Sequence, residues 1–159
     1  WKIIVIIKLT SNNSSYTTSS FTSYARYPEY PRAVALAVAE HAIGAGKGSR
    51  NMLGMVVSTG IGGGIIVNDQ PLEGDFGNAG FFGHNVVGDY EGGCNCGRIG
   101  CVEGYASGVS MVRYAKREGW SGDDFVALSQ SAKEGDPTAI AAIEFGSVRS
   151  TDTSPLRDA

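Results

Sequence analysis

The apolar positions of the chain fall into separated runs whose period changes along its length. Ile3 to Ile7 is an unbroken apolar run that reads as a β-strand, and Thr10 to Ser23, dominated by Ser, Thr and Asn, reads as a polar linker behind it. An aromatic and proline patch follows, from Tyr24 to Pro31. A helix is predicted from there: Pro31 suits a first helical turn, Ala33 to Ala42 is rich in helix formers, and Gly44 can close the C-terminus. Met52 to Val57 and Gly64 to Val67 are apolar runs predicted as two strands, with Gly60, Gly62 and Gly63 forming the turn between them and Asn68-Asp69-Gln70-Pro71 forming the next.

Helical spacing returns after Cys101. Ser107 or Gly108 marks a start, and Val109, Val112 and Ala115 give one apolar face before Gly119. Ser121 and Asp124 have capping-box spacing ahead of Phe125, Val126 and Leu128. Asp136-Pro137 reads as an N-cap and first-turn proline for a last helix reaching roughly Phe145, and the tail from Ser147 to Ala159 shows no periodicity.

A chain of 159 residues is long enough for one compact domain and tight for two. Its 18% of charged residues and net charge of -3 give no basic footprint, so no nucleic acid contact is expected. The opening apolar run is far short of the ~20 residues of a membrane helix, and no small-residue cleavage site follows it. A cytoplasmic protein without membrane contact is expected. The three cysteines all lie between Cys94 and Cys101, a placement that argues against a disulfide framework and for metal ligation.

That cluster, Cys94-Asn95-Cys96-Gly97-Arg98-Ile99-Gly100-Cys101, follows Gly83-His84. Three thiolates and an imidazole suit tetrahedral zinc and close its coordination sphere, which is the pattern of a structural metal. Glycines at 92, 93, 97 and 100 would let the backbone curl so that the sulfurs converge. Three free thiols beside an unrelated histidine is the bland alternative. The other histidine, His41, has no ligand-type neighbours and reads as a partly exposed helix residue.

Together these residues resemble the ROK family of sugar kinases and sugar-responsive repressors. The resemblance rests on Gly44-Ala45-Gly46-Lys47-Gly48, Ser58-Thr59-Gly60-Ile61-Gly62-Gly63-Gly64, Gly83-His84, the cysteine cluster with Val102-Glu103, and Tyr105-Ala106-Ser107-Gly108. It covers about residues 32–146, leaving 1–31 as a divergent or non-native segment and 147–159 as an irregular tail. It implies an α/β, actin-like and hexokinase-like (ribonuclease H-like) fold, of which this chain is part of the larger lobe, with a zinc-bound loop. It implies ATP with Mg as phosphoryl donor, a small-molecule sugar as substrate, and a homodimer or tetramer. By resemblance, Thr59, Gly60, Gly62 and Gly63 lie against the nucleotide phosphates, where glycines let backbone N–H groups approach anionic oxygens. Glu103 accepts hydrogen bonds from sugar hydroxyls, and His84 serves both metal and sugar. A plain glycine-rich hairpin and a solvated Glu103 are the structural alternatives.

The sequence departs from the family pattern in three places. The family's Glu-x-Gly-His motif is Phe81-Phe82-Gly83-His84 here, so a ring replaces a carboxylate. The aspartate that would deprotonate the attacking hydroxyl falls near Tyr30, where Glu29 is the nearby carboxylate. The N-terminal Asp-x-Gly-Gly-Thr phosphate motif and the C-terminal helices of the adenosine pocket are not in this sequence. The expectation is therefore a fragment of an ATP-dependent, glucokinase-like sugar kinase, inactive as written. The alternative is the sugar-sensing domain of a ROK repressor.

Overall fold

In a computed structural model of the protein, the residues described are 3–9, 14–19, 32–90 and 93–149. They form two compact units, one built from the described residues up to Val57 and from Gly62–Phe82, the other from Ser58–Ile61 and the described residues from Gly83 onward.

The first unit is a five-stranded sheet in the order β2-β1-β3-β4-β5 with one helix against it. The strands are β1 (Ile3–Leu9), β2 (Ser14–Ser19), β3 (Met52–Val57), β4 (Ile61–Val67) and β5 (Gln70–Leu72); the helix α1 is Arg32–Ile43. β1 pairs antiparallel with both β2 and β3. The polar stretch read as a linker thus carries a strand: threonine favours extended backbone, and an edge strand needs no alternating apolar face once its neighbour supplies the ladder.

The glycine-rich segment also differs from expectation. β4 begins at Ile61, so Gly62 and Gly63 lie inside the strand and the turn is Ser58-Thr59-Gly60. The reason is packing. A Cβ at Gly62 would stand 3.0 Å from the Ala33 Cβ, and one at Gly64 would stand 2.8 Å from the Ala37 Cβ, so these glycines let α1 lie close on the strand. A Cβ at Gly63 would stand 2.7 Å from the Phe82 ring. Leu36, Ala37, Met52 and Ile66 form the buried core between helix and sheet. The β4–β5 turn is tighter than expected: Asn68 and Asp69 alone turn the chain, both at positive φ (51° and 65°), and Gln70 and Pro71 already belong to β5.

α1 ends on its own buried carboxylate. Glu40 Oε2 accepts from the Ala45 amide at 2.8 Å, and the Glu40 carbonyl accepts from Gly44 and Gly46. His41, which looked isolated in sequence, has its Nε2 2.9 Å from the Ser49 carbonyl and 3.3 Å from Asp69 Oδ1.

The second unit is helical: α2 (Val102–Ala106), α3 (Gly108–Arg117), α4 (Phe125–Lys133) and α5 (Pro137–Arg149), preceded by a 3-10 turn at Phe82–His84. Ser107 caps α3, its Oγ accepting from the Ser110 amide at 3.2 Å. The buried face of α3 is Met111 and Ala115, whereas Val109 is exposed and Val112 half-buried, so the expected apolar face is rotated. Positions 111 and 115, four apart, stack on one side of the helix, and 109 lies off that side. Met111 meets α5 at Gly146, where a Cβ would stand 2.6 Å from its Cε. Asp124 is itself the N-cap of α4, accepting from the Ala127 amide at 2.9 Å, which displaces Ser121 from the expected capping box. Asp136 caps α5 as predicted, accepting from Thr138 and Ala139, and the helix runs on to Arg149. Among the described residues no helix is long and apolar enough to cross a membrane.

Candidate metal centre and the adjoining turn

The loop between the 3-10 turn and α2 folds back on itself. Val86 and Cys101 form an isolated antiparallel bridge, the Val87 amide donates to the Gly100 carbonyl at 2.9 Å, and the Val102 amide donates to the Asn85 carbonyl at 2.9 Å. These bonds bring His84 beside the cysteines. Gly93, Gly97 and Gly100 all have positive φ (76°, 80° and 78°), a conformation that a side chain resists, so the curl expected of these glycines is present. At Gly100 the need is twofold, because a Cβ would also collide with the Gly88 carbonyl oxygen. Gly92 lies outside the described residues.

The ligand atoms of His84, Cys94, Cys96 and Cys101 all lie within 4.8 Å of one another. His84 Nδ1 is 3.3 Å from Cys94 Sγ, and Cys96 Sγ is 3.5 Å from Cys101 Sγ. A tetrahedral zinc site with about 2.3 Å zinc–sulfur bonds has edges of about 3.8 Å, so the four donors fit such a metal in both type and spacing. Cys94 and Cys101 are buried and Cys96 is exposed. Burial pushes the Cys101 thiol up to about 12 and also raises Cys94, while a hydrogen bond from the Arg98 backbone lowers Cys96. The pocket thus favours protonated thiols on its inner side, and thiolates there would require a neighbouring cation.

Glu103, in the first turn of α2, faces away from this cluster on one oxygen and towards it on the other. Its Oε2 accepts from the Ile61 amide at 2.8 Å, and its Oε1 accepts from the Cys94 thiol at 3.7 Å. Gly60 lies directly over the same carboxylate, since a Cβ there would stand 2.6 Å from Oε2. The Ser58 carbonyl, at the other end of the turn, accepts from the Gly108 amide at 2.8 Å. Beside Thr59 opens a cavity of about 330 Å³ lined mostly by apolar surface from Val109, Val112, Phe125 and Val126, with Asp123 and Asp124 at its edge.

A comparison with known families matches residues 32–149 to the ROK family. The chain belongs to the ROK family. A glucokinase of Streptomyces coelicolor is 39% identical over 106 residues, which is 67% of this chain and 33% of that protein. The ROK hexokinase of Thermus thermophilus superposes with a TM-score of 0.63 at 33% identity, over 72% of this chain and 39% of that one. A ROK family glucokinase from Streptomyces griseus, solved in complex with glucose and AMPPNP, superposes at 0.56 with 35% identity, over 69% of this chain and 41% of that one. The chain therefore has the α/β fold of ROK hexokinases and spans about a third of the length of the curated relatives it matches.

Among the ROK residues singled out in the sequence, the fold brings His84, Cys94, Cys96 and Cys101 together and sets Glu103 against the turn that holds Thr59 and Gly60. Gly62 and Gly63 are not in that turn but in β4, where protein atoms fill the space their side chains would take. Phe81 is partly exposed. Glu29 and Tyr30 lie outside the described residues. Sequence reasoning missed the cavity beside Thr59. The sequence held no signal for it, because Val109 and Val126 read as parts of apolar helix runs and only the structure shows them exposed.

Proposed function

We propose that this chain is the zinc-bearing portion of a ROK sugar kinase, a protein that transfers the γ-phosphoryl group of ATP to a hexose. The observation that carries the reading is Glu103, which joins the cysteine cluster to the Thr59-Gly60 turn through its bond to the Ile61 amide. In this reading His84, Cys94, Cys96 and Cys101 hold one structural zinc, which neutralises the inner thiolates and fixes the loop. Glu103 retains acceptor capacity beyond its bond to Ile61, because each carboxylate oxygen offers two lone pairs, and it takes sugar hydroxyls together with His84. The backbone at Thr59 and Gly60, with Gly62 and Gly63 behind it, approaches the phosphates of ATP with its Mg, and the cavity beside Thr59 receives the nucleoside, its apolar walls covering the base and Asp123 accepting from hydroxyls. The family's homodimer or tetramer is part of the same proposal.

Phe81, where the family carries a carboxylate, favours a second reading: sugar binding without phosphoryl transfer, as in the sensing domain of a repressor. Calorimetric titration of the zinc-loaded chain with glucose and with a non-hydrolysable ATP analogue tests both. Binding of both ligands supports the kinase reading. Binding of glucose alone favours the sensor, and binding of neither overturns the two together.

A further inference from the structure

Ile61 is held from two sides by residues that neighbour metal ligands. Its amide donates to Glu103 Oε2 at 2.8 Å, and Glu103 stands two positions after Cys101, the N-cap of α2. Its carbonyl is backed by Gly83, which precedes His84 and could not carry a Cβ without striking that carbonyl oxygen. The approach is close at Gly60 as well, where any side chain would meet the Glu103 carboxylate. The second oxygen of the same carboxylate accepts from the Cys94 thiol at 3.7 Å, a bond that gives way when the sulfur loses its proton to a metal, so the link that persists in the loaded chain is the one through Cys101. One side chain therefore spans from a cysteine of the cluster to the backbone of a turn 42 residues earlier in sequence.

We infer that Glu103 is a positioning residue through which the metal centre sets the order of the Ser58–Ile61 turn. The inference rests on the zinc reading proposed above and extends it. When the cluster is loaded, Cys101 and His84 are fixed, so Glu103 and Gly83 are fixed with them and the Ile61 amide stays bonded. When the metal leaves, the loop gains conformational freedom and that bond opens more often. Thr59, two positions before Ile61, forms part of the wall of the cavity. Any ligand that requires an ordered turn there binds the metal-loaded chain more tightly and, by linkage, tightens metal binding by the same factor.

Backbone amide exchange of the full chain, followed by nuclear magnetic resonance with zinc content measured in parallel, tests this. The Trp120 amide, bonded to the Ala115 carbonyl at 2.9 Å, serves as a reference in the same helical unit. Removing zinc with a chelator should speed exchange at Ile61 by about tenfold, as expected for loss of one charge-assisted hydrogen bond, with little change at Trp120. Glu103→Ala should give the same acceleration with zinc still bound, whereas Glu103→Gln, which keeps an acceptor oxygen, should restore slow exchange. Gly60→Ala provides an independent variant, since it displaces the carboxylate without altering any ligand, and it should speed exchange at Ile61 as well. Unchanged exchange at Ile61 on zinc removal, or equal acceleration at Ile61 and Trp120, would overturn the coupling. A wild-type chain that takes up no zinc would instead remove the metal reading on which the coupling depends.

Discussion

Cys96 and Cys101 place their sulfurs 3.5 Å apart, yet one thiol is exposed with its pKa lowered and the other is buried with its pKa pushed up to about 12. The two thiols share a hydrogen bond on a backbone curl that sets them at ligand spacing, and a shared cation would take the place of the bridging proton. The purified chain should carry about one equivalent of zinc, the behaviour of a structural site; less than about 0.2 equivalents under reducing, chelator-free conditions would sink the assignment. Cys101→Ser should weaken zinc binding by more than the roughly 10–100-fold typical of residues that only support a ligand. His41→Ala, which removes a hydrogen bond to Ser49 in the other unit, should leave zinc content unchanged and cost about 1 kcal/mol of stability.

The same thiols fix the direction of the pH dependence. Zinc binding must displace the protons of Cys94 and Cys101, both held above the ordinary thiol range by burial, so zinc affinity should fall as pH falls. For the metal-free chain the sign reverses. Cys101 is raised in the fold, so the folded state holds a proton that the unfolded state releases from about pH 9.0 upward. Its stabilising contribution is complete below that pH and is lost as pH rises towards about 12. Denaturant melts of the chelated chain should therefore show stability declining across this alkaline window, and zinc should suppress the decline. A melt midpoint that rises from pH 9 to 11 without metal would contradict the burial of Cys101.

Glycines here divide into those that packing requires and those it does not. Gly64→Ala should cost about 1–3 kcal/mol, the usual cost of overpacking, because its Cβ would meet α1 at the Ala37 Cβ and, at 3.0 Å, the Val34 Cα. Gly104→Ala in α2 should be neutral or stabilising by up to about 1 kcal/mol, as alanine is the better helix former, and the nearest atom to its Cβ is the Cys94 amide at an unstrained 3.9 Å. Chemical denaturation of both zinc-loaded variants would check the contrast; equal losses would mean that the helix–strand approach is not as close as described.

What was legible in the sequence follows from distance along the chain. The convergence of His84 and the cysteines was suggested in sequence because Cys94, Cys96 and Cys101 lie within eight residues and their chemistry has few other uses. α1, α3 and α5 were readable because their caps and periodicity are local signals, although the buried side of α3 was not, since which face is covered depends on α5. β2 escaped notice because a Ser/Thr run has no apolar alternation, and its pairing with β1 is tertiary. Gly62 and Gly63 look like turn residues until the approach of α1 and Phe82 is seen. The bond from Glu103 to Ile61 and the cavity that joins Thr59 to Phe125 connect segments far apart in sequence, and no local pattern announces either.

Phosphoryl transfer by this chain should be absent or very slow. The resemblance implies that the family's aspartate base falls near Tyr30, where the sequence Tyr27-Pro28-Glu29-Tyr30-Pro31 has no aspartate, and a missing general base typically removes ~10²–10⁴-fold of rate. A coupled assay for ADP release should detect no glucose-dependent turnover near the ordinary enzyme range of ~1–10³ per second. Turnover in that range, abolished by Glu29→Gln, would instead identify Glu29 as the base.

The last prediction concerns Phe81. The residue is 44% exposed, so a polar side chain at this position leaves the core intact, and the family resemblance implies that it stands where ROK kinases carry a sugar-binding carboxylate. If the chain binds a hexose as the family resemblance implies, Phe81→Glu restores the family's charged acceptor for the sugar hydroxyls. A hydrogen bond to a charged group contributes about 1.5–3 kcal/mol, so glucose should bind roughly 10–150-fold more tightly to the variant. Titration of both proteins at equal zinc loading measures this. Glu103→Gln serves as the opposing control: it should weaken glucose binding in either background while zinc content stays constant. A Phe81→Glu chain with unchanged affinity, whose binding still depends on Glu103, would show that position 81 does not face the sugar in this protein. If neither substitution moved the affinity, the sugar site would have to be sought elsewhere.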